Sequence, residues 1–360
     1  MSRGVRVGLG TIVSAVVLAA LLWFTDPAQI WDTLSAADLR WIAAATLVNV
    51  ATIPVMAWRW RLLLRAKGIA VPLAWLTRTY FVALFLGQFL PAAIGGDAVR
   101  AVELGRRTQA APEAVASVLI DRLVGVVSLV ALAVVAYAAS GASGGRPEVA
   151  VAEALFGLAT LAMLALLFSA GLRGMAARYL EPRVAGRQLA AGQRFYDALH
   201  EYRDHRATLG AVCGLALAVQ VARVWTIWML VQALRLDVPV SEIFAAGPVL
   251  FAALILPVSL NGIGVREAVF VSFLRDSTTA EQAIALGVAF FAVGTATALA
   301  GAPILLVRWV RYGVQAVRPR TQIEDPEPAL QSQPVSADTP WHERPADHPS
   351  PRPGPRLDRE

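Results

Sequence analysis

Leu90-Pro91-Ala92-Ala93-Ile94-Gly95-Gly96-Asp97-Ala98-Val99-Arg100 and Leu256-Pro257-Val258-Ser259-Leu260-Asn261-Gly262-Ile263-Gly264-Val265-Arg266 are two versions of one pattern, 166 residues apart. Leu, Pro, Gly, Val and Arg fall at matching places. Upstream, Val71-Pro72-Leu73 opens one apolar arm and Val238-Pro239-Val240 stands before the other. Proline and glycine interrupt helices, so each motif reads as the tip of an apolar segment that turns back. Gly/Pro-broken apolar segments in corresponding places point to an inverted repeat with a binding site near the bilayer midplane. Pro and Gly also end helices in any membrane protein, so the repeat must be supported by topology as well.

The composition agrees with a membrane fold. Hydrophobic residues make up 57% of the 360 and charged residues 16%, where an ordinary soluble domain carries roughly a quarter charged. Mean hydropathy is +0.57. So little polar surface cannot cover a water-soluble fold, which predicts an all-α integral membrane protein. Cys213 is the only cysteine, so no disulfide framework is expected. His200, His205, His342 and His348 lie in polar segments without a second ligand type at metal spacing, and neither metal nor cofactor is expected.

Apolar runs cover 7–24, 41–57, 73–90, 114–138, 151–170, 207–233, 243–260 and 280–307. A helix needs about 20 residues to cross ~30 Å of hydrocarbon. The first run follows Arg3 and Arg6, has no small-x-small cleavage site behind it, and reads as an uncleaved helix. Arg and Lys collect in cytoplasmic loops. On that rule the amino terminus, the 58–72 link (Arg59, Arg61, Arg65, Lys67), the 171–206 link with its seven arginines and the segment after 307 are cytoplasmic. The 25–40 link, with Asp26, Asp32 and Asp38, is external. Eight full crossings would put 171–206 outside, against the strongest charge signal. If 73–90 and 243–260 dip in and return, every signal is met. The expected architecture over 1–318 is six spanning helices plus two re-entrant hairpins in an inverted repeat, with eight full crossings as the alternative. Both termini are then cytoplasmic, in a cytoplasmic (plasma) membrane.

Residues 319–360 hold ten prolines and a net charge of −3, and are expected to be a disordered tail. The body, 1–318, carries +9. An isoelectric point near 10.1 would suggest nucleic acid in a soluble protein. Here the excess arginine sits beside apolar runs, so no nucleic-acid partner is expected.

Charged groups within apolar segments cost at least ~2.5–3.5 kcal/mol unless paired or watered, which makes them site candidates. Asp121-Arg122 lies inside the 114–138 run. Neighbouring helix positions diverge by about 100°, so the two can take separate partners: Arg122 with Asp97 or Glu103, and Asp121 with Arg100. Arg223 and Gln220 share a helix face, and Arg266-Glu267 closes the second motif. Each pair also reads as a structural tie between hairpin and helix, and Arg223 as a snorkelling side chain. Gly95-Gly96 and Gly262-x-Gly264 permit positive φ and leave backbone N–H groups for an anion. A helix start behind each tip adds its dipole, and Arg100 or Arg266 a full charge. The candidate head-group site is thus Pro91, Gly95, Gly96, Asp97, Arg100, Asp121, Arg122, Arg223, Pro257, Asn261, Gly262, Gly264, Arg266 and Glu267. A phospholipid or polyprenyl-phosphate head group suits it. The 185–206 stretch, with Phe195, Tyr196, Leu199 and Tyr202 among charges, reads as an amphipathic helix on the inner leaflet or as a solvated connector. Catalytic triads, Walker loops and dinucleotide fingerprints are absent from the sequence, so no enzyme is expected.

The run from Arg59 through Pro91-x-x-x-Gly95-Gly96-Asp97-x-x-Arg100 to Ser117-x-x-x-Asp121-Arg122, with Pro257-x-x-x-Asn261-Gly262-x-Gly264-x-Arg266-Glu267 later, resembles the lysylphosphatidylglycerol synthase transmembrane region family. Its members are also called flippase-like domain proteins, and the resemblance covers roughly 10–315. Members often carry Glu-Arg where this sequence has Asp121-Arg122, which keeps the charge and shortens the reach by a methylene. The resemblance implies lipid handling. Two-domain members add a soluble aminoacyl-transferase domain, where this sequence continues into a Pro-rich stretch, so synthase activity is not expected. Two functions remain: translocation of an anionic phospholipid or lipid-linked sugar, or presentation of lipid to a separate membrane glycosyltransferase or synthase without transport.

Overall fold

Asp26 and Asp38 open the first two helices among the described residues. Their carboxylates accept the N–H groups of Ala28 and Arg40, each at 2.9 Å, satisfying donors that a helix start leaves unpaired. The computed structural model describes residues 25–89, 95–139, 151, 154–162, 202, 205–255 and 262–312. In it these helices are α1 (Pro27–Ser35) and α2 (Leu39–Ala66). There follow α3 (Leu73–Phe89), α4 (Gly95–Thr108), α5 (Ala111–Ala139), α6 (Arg206–Ala233) and α7 (Val240–Ile255). The last are α8 (Val265–Phe273), α9 (Ala280–Leu299) and α10 (Gly301–Tyr312). No strand occurs among the described residues. The molecule is an all-α membrane protein: α2, α5, α6 and the run Ala280–Val310 are each long and apolar enough to cross a bilayer.

The runs expected at 41–57, 73–90, 114–138, 207–233, 243–260 and 280–307 correspond to α2, α3, α5, α6, α7 and α9–α10. That at 151–170 is described in part, while 7–24, nearly all of 171–206 and the tail lie outside the described residues. One boundary differs. α2 continues past 57 to Ala66, so Arg59 and Arg61 sit on a helix and not in a link. Ile53, Ala57, Trp60 and Leu64 are all buried at helical spacing, which carries the amphipathic face through the arginine.

The two halves repeat a device that positions their hairpins. α2 ends in a Schellman motif: Gly68, at φ +71°, donates to the Arg65 carbonyl at 2.9 Å, and Ile69 to that of Leu64 at 2.9 Å. α6 ends likewise, with Arg235 at φ +55° donating to Gln232 at 3.1 Å and Leu236 to Val231 at 3.0 Å. Four residues after each left-handed position stands a proline, Pro72 or Pro239, which opens α3 or α7.

α3 and α4 form an antiparallel hairpin. Gly96 lies against Ala83 and Gly87 near the tip, Arg100 over the Tyr80 ring, and Arg107 over the Trp75 ring towards the base. A Cβ on Gly96 would stand 2.9 Å from the Ala83 carbonyl oxygen, so the close approach of the arms requires glycine there. α7 and α8 double back too: Gly262 meets Leu254 near the tip, and Ser277, just beyond α8, donates to the Glu242 carboxylate at 2.9 Å at the base. Helices of 17 and 16 residues, α3 and α7, reach about 25 Å at 1.5 Å per residue, short of a ~30 Å core.

The hairpins enter from opposite ends. α2 and α6 run antiparallel, because Asp38 donates to the Ala233 carbonyl at 2.8 Å while Tyr202, just before α6, donates to Leu63 at 3.3 Å. The first hairpin leaves the Leu63 end and the second leaves the Ala233 end. Tyr202 is 1% exposed, buried beside Leu63, Leu123 and Val212, so this point of the 185–206 stretch is neither a membrane-surface face nor solvated. Leu47, Val134, Val135 and Leu158 face outward, where lipid asks for no polar cover.

Candidate functional site

Asp121, in the middle of α5, is 1% exposed and both of its carboxylate oxygens are engaged. Arg59 Nε donates to Oδ1 at 2.7 Å, while the Tyr80 hydroxyl and Arg100 donate to Oδ2 at 2.7 and 2.9 Å. Arg59 also reaches the Asp121 backbone carbonyl at 3.3 Å. One carboxylate therefore ties α2, α3 and α4 to α5. Arg100 lies between two aromatic faces, 3.9 Å from the Tyr80 ring centre and 4.3 Å from that of Trp60, and Trp60 in turn donates to Ser117 at 3.1 Å. Arg100 gives a further bond to Asp97 at 3.2 Å, and the second Asp97 oxygen takes Arg122. The expected pairs Arg122 with Asp97 and Asp121 with Arg100 are both present. Glu103 binds Arg308 of α10 instead, at 2.7 Å.

The second half holds its arginines differently. Arg223 on α6 stacks on Phe251 at 4.4 Å, and Arg266 on α8 lies 5.0 Å from the Phe291 ring and 5.8 Å from that of Phe290. Phe251 and Phe290 touch, with centroids 6.0 Å apart, so one phenylalanine platform carries both cations. An aromatic face attracts a cation without cancelling its charge. Arg266 also has Glu267 at 3.5 Å. Among the described residues no carboxylate lies within ion-pair distance of Arg223.

Gly96, Asp97, Arg100, Asp121, Arg122, Arg223, Gly262 and Arg266 line one cavity of about 470 Å³. Its walls come from the middle of α2, α5 and α6, from α9, and from both hairpin tips. Its described lining holds five arginines, Arg59 being the fifth, against two aspartates, Asp97 and Asp121. Gly95, Gly264 and Glu267 are not in that lining, and Pro91, Pro257 and Asn261 fall outside the described residues. Gly262 and Gly264 adopt φ of +78° and +85°, as a glycine tip allows. The Gly264 N–H is already taken: it donates to Glu267 at 2.7 Å, so this carboxylate caps α8. Arg59, Tyr80 and Trp60 are site residues that the sequence reading missed. The signal available was the helical spacing of Ala57, Trp60 and Leu64 across Arg59.

The sequence pattern of the lysylphosphatidylglycerol synthase TM region matches residues 9–301. The chain belongs to that family. A protein named glycosyltransferase AglD, from Haloferax volcanii, is 28% identical over 80% of this chain and 52% of its own length. UPF0104 membrane proteins from Methanothermobacter thermautotrophicus and Pyrococcus horikoshii are 31% and 25% identical over 31% and 32% of this chain. The chain thus spans about half the length of the Haloferax relative, and 33% and 36% of the other two. Membership of the lysylphosphatidylglycerol synthase TM region family makes the cavity, with its excess of arginine, a feature of a multi-pass membrane protein.

Proposed function

We propose that the chain binds an anionic phospholipid or lipid-linked sugar by its head group and moves it across the cytoplasmic membrane, without covalent chemistry. The observation that carries this reading is the mid-helix cavity, with five arginines against two aspartates and Arg223 left for an anion. Guanidinium is suited to the task, since its planar fork gives two parallel bonds to a phosphate. A volume of about 470 Å³ lies within the usual range for a small-molecule site, enough for a head group whose tails remain in lipid. Hairpins entering from opposite ends give the cavity a movable wall towards each leaflet. The name of the Haloferax relative favours a second reading, in which lipid is presented to a glycosyltransferase and not transported.

Vesicles separate the two. With fluorescent phosphatidylglycerol in both leaflets and a quencher outside, the reconstituted protein is expected to bring inner-leaflet label into reach faster than protein-free vesicles. Mass spectrometry of the recovered lipid is expected to show no covalent change. Lipid binding without acceleration would leave the presenting role, and altered lipid would make the chain an enzyme.

Orientation is testable on the described loops. Ala70, beside the arginine-rich end of α2, is assigned to the cytoplasm, and the exposed Asp237, at the opposite end, to the outside. In a Cys213→Ser background, an impermeant thiol reagent applied to intact cells is expected to label Asp237→Cys and spare Ala70→Cys. The reverse pattern would turn the assigned topology over.

A further inference from the structure

The two hairpins are attached to their surroundings by different kinds of contact. The first is tied by charge: Tyr80 and Arg100 to Asp121 of α5, Asp97 to Arg122, and Glu103 to Arg308 of α10. In the second, Glu242 of α7 and Glu267 of α8 both bond within the hairpin itself. Glu242 accepts from Ser277 at 2.9 Å, and Glu267 from the Gly264 N–H at 2.7 Å. Aromatic faces carry this hairpin against its neighbours. Phe244 packs on Trp225 of α6, Phe251 lies beside Arg223 of α6 and Phe290 of α9, and Phe270 meets Phe290 as well.

A bilayer makes that difference count. When two apolar surfaces part in lipid, acyl chains cover them much as the neighbouring helix did. When a buried ion pair parts, both charges stay unmatched at low dielectric and lipid offers no replacement. Packing places the second hairpin, whereas charge fastens the first.

α7 also carries a break that α3 lacks. Pro248 stands in the interior of α7 and has no N–H for the Phe244 carbonyl one turn back. Helices bend at such positions. Gly247 lies directly on α6, since a Cβ there would stand 2.7 Å from Val224 Cγ2. On one side of this point the base is held, by Glu242 with Ser277 and by Phe244 on Trp225. On the other side Phe251, Leu254 and Ile255 line the cavity. α3 has no proline, and its one glycine, Gly87, is close to its end.

We propose that Gly247-Pro248 is a hinge on which the far half of α7 swings together with α8, so that the second hairpin is the wall of the cavity that opens readily. The first hairpin moves only when the Asp121 cluster breaks. This rests on the lipid-moving reading above and adds which wall moves: opening towards the outer leaflet is the frequent event, and opening towards the inner leaflet the rare one. Phe251 and Arg266 belong to the part that swings, Arg223 and Phe290 to the part that stays. An anion held by both arginines therefore draws the wall shut.

Hydrogen exchange read by mass spectrometry tests the hinge without any ligand. In the full chain in lipid nanodiscs, amides of residues 249–255 and of α8 are expected to exchange about tenfold or more faster than those of α3 and α4. Pro248→Ala restores the missing donor and is expected to slow exchange in the second hairpin by about threefold to tenfold, the scale of one hydrogen bond. The first hairpin should be unchanged, the melting temperature should hold, and lipid movement in the vesicle assay should slow by a similar factor. Equal exchange in the two hairpins, or faster exchange in the first, would overturn the proposal. So would a Pro248→Ala chain that exchanges and moves lipid as wild type does. If the second hairpin exchanges faster but wild type moves no lipid, the hinge stands and the transport reading falls.

Discussion

Asp121→Asn is expected to lower stability by about 3–5 kcal/mol, the usual cost of removing one partner from a buried ion pair. Asparagine keeps the shape but not the charge, so Arg59 and Arg100 lose the carboxylate that faces them at 2.7 and 2.9 Å in a place where water cannot compensate. Tyr80 loses a charged acceptor at the same moment. Because Asp121 joins α5 to α2, α3 and α4, the loss is expected across that half of the molecule and not at one helix end. A fall in melting temperature in detergent, with poor recovery from membranes, is the measurable form. Asp97→Asn makes the contrast. Its partner Arg122 is 31% exposed and can be hydrated, and its other partner, Arg100, keeps Asp121 at 2.9 Å, so a smaller loss than for Asp121→Asn is expected. Equal melting temperatures for wild type and Asp121→Asn would show that the buried cluster is not structural.

Arg223→Gln is expected to do the reverse. The stacked guanidinium is half-buried and has no carboxylate within ion-pair distance among the described residues, so removing its charge relieves an uncompensated cost of partial burial. Stability is expected to hold or rise. Binding of an anionic head group is expected to fall about tenfold to a hundredfold, the scale of a hydrogen bond to a charged group. Arg223→Lys should retain part of this, because the charge stays while the two-bond fork is lost. The opposed signs of the Asp121 and Arg223 effects separate the part of the site that holds the fold from the part that holds a ligand. An Arg223→Gln variant that unfolds would mean its stacking on Phe251 is structural.

The hairpins were legible in the sequence because two independent signals asked for them. Arginines on the 171–206 link argued against eight full crossings, which stayed the alternative, and the matching Pro and Gly positions marked where the chain turns. The structure adds the left-handed stops at Gly68 and Arg235, of which only the glycine announces itself by residue type. The pairs Asp97 with Arg122 and Arg100 with Asp121 followed from the angular spread of adjacent helix positions. Arg59 did not. A charge at the end of an apolar run looks like a loop charge, and what permits its burial is Asp121, 62 residues later and invisible to local reasoning. Glu267 was placed in the head-group site; that it caps α8 through the Gly264 N–H depends on the turn geometry of the tip. The asymmetry between halves was also hidden. Arginines stand in both motifs, but only packing decides that Arg100 is locked by two carboxylates while Arg266 lies over phenylalanines with Glu267 at 3.5 Å, and that Arg223 of α6 shares that aromatic platform.

The central claim is that the cavity's surplus of arginine holds an anionic lipid head group, and native mass spectrometry tests it most directly. The purified chain is equilibrated with equal amounts of phosphatidylglycerol and phosphatidylcholine of the same acyl composition, and the retained lipid is read from the mass of the complex. Preferential retention of phosphatidylglycerol by wild type, abolished in Arg223→Gln at an unchanged melting temperature, is the predicted result. Equal retention of the two lipids by wild type, or a phosphatidylglycerol preference that Arg223→Gln keeps in full, would contradict it.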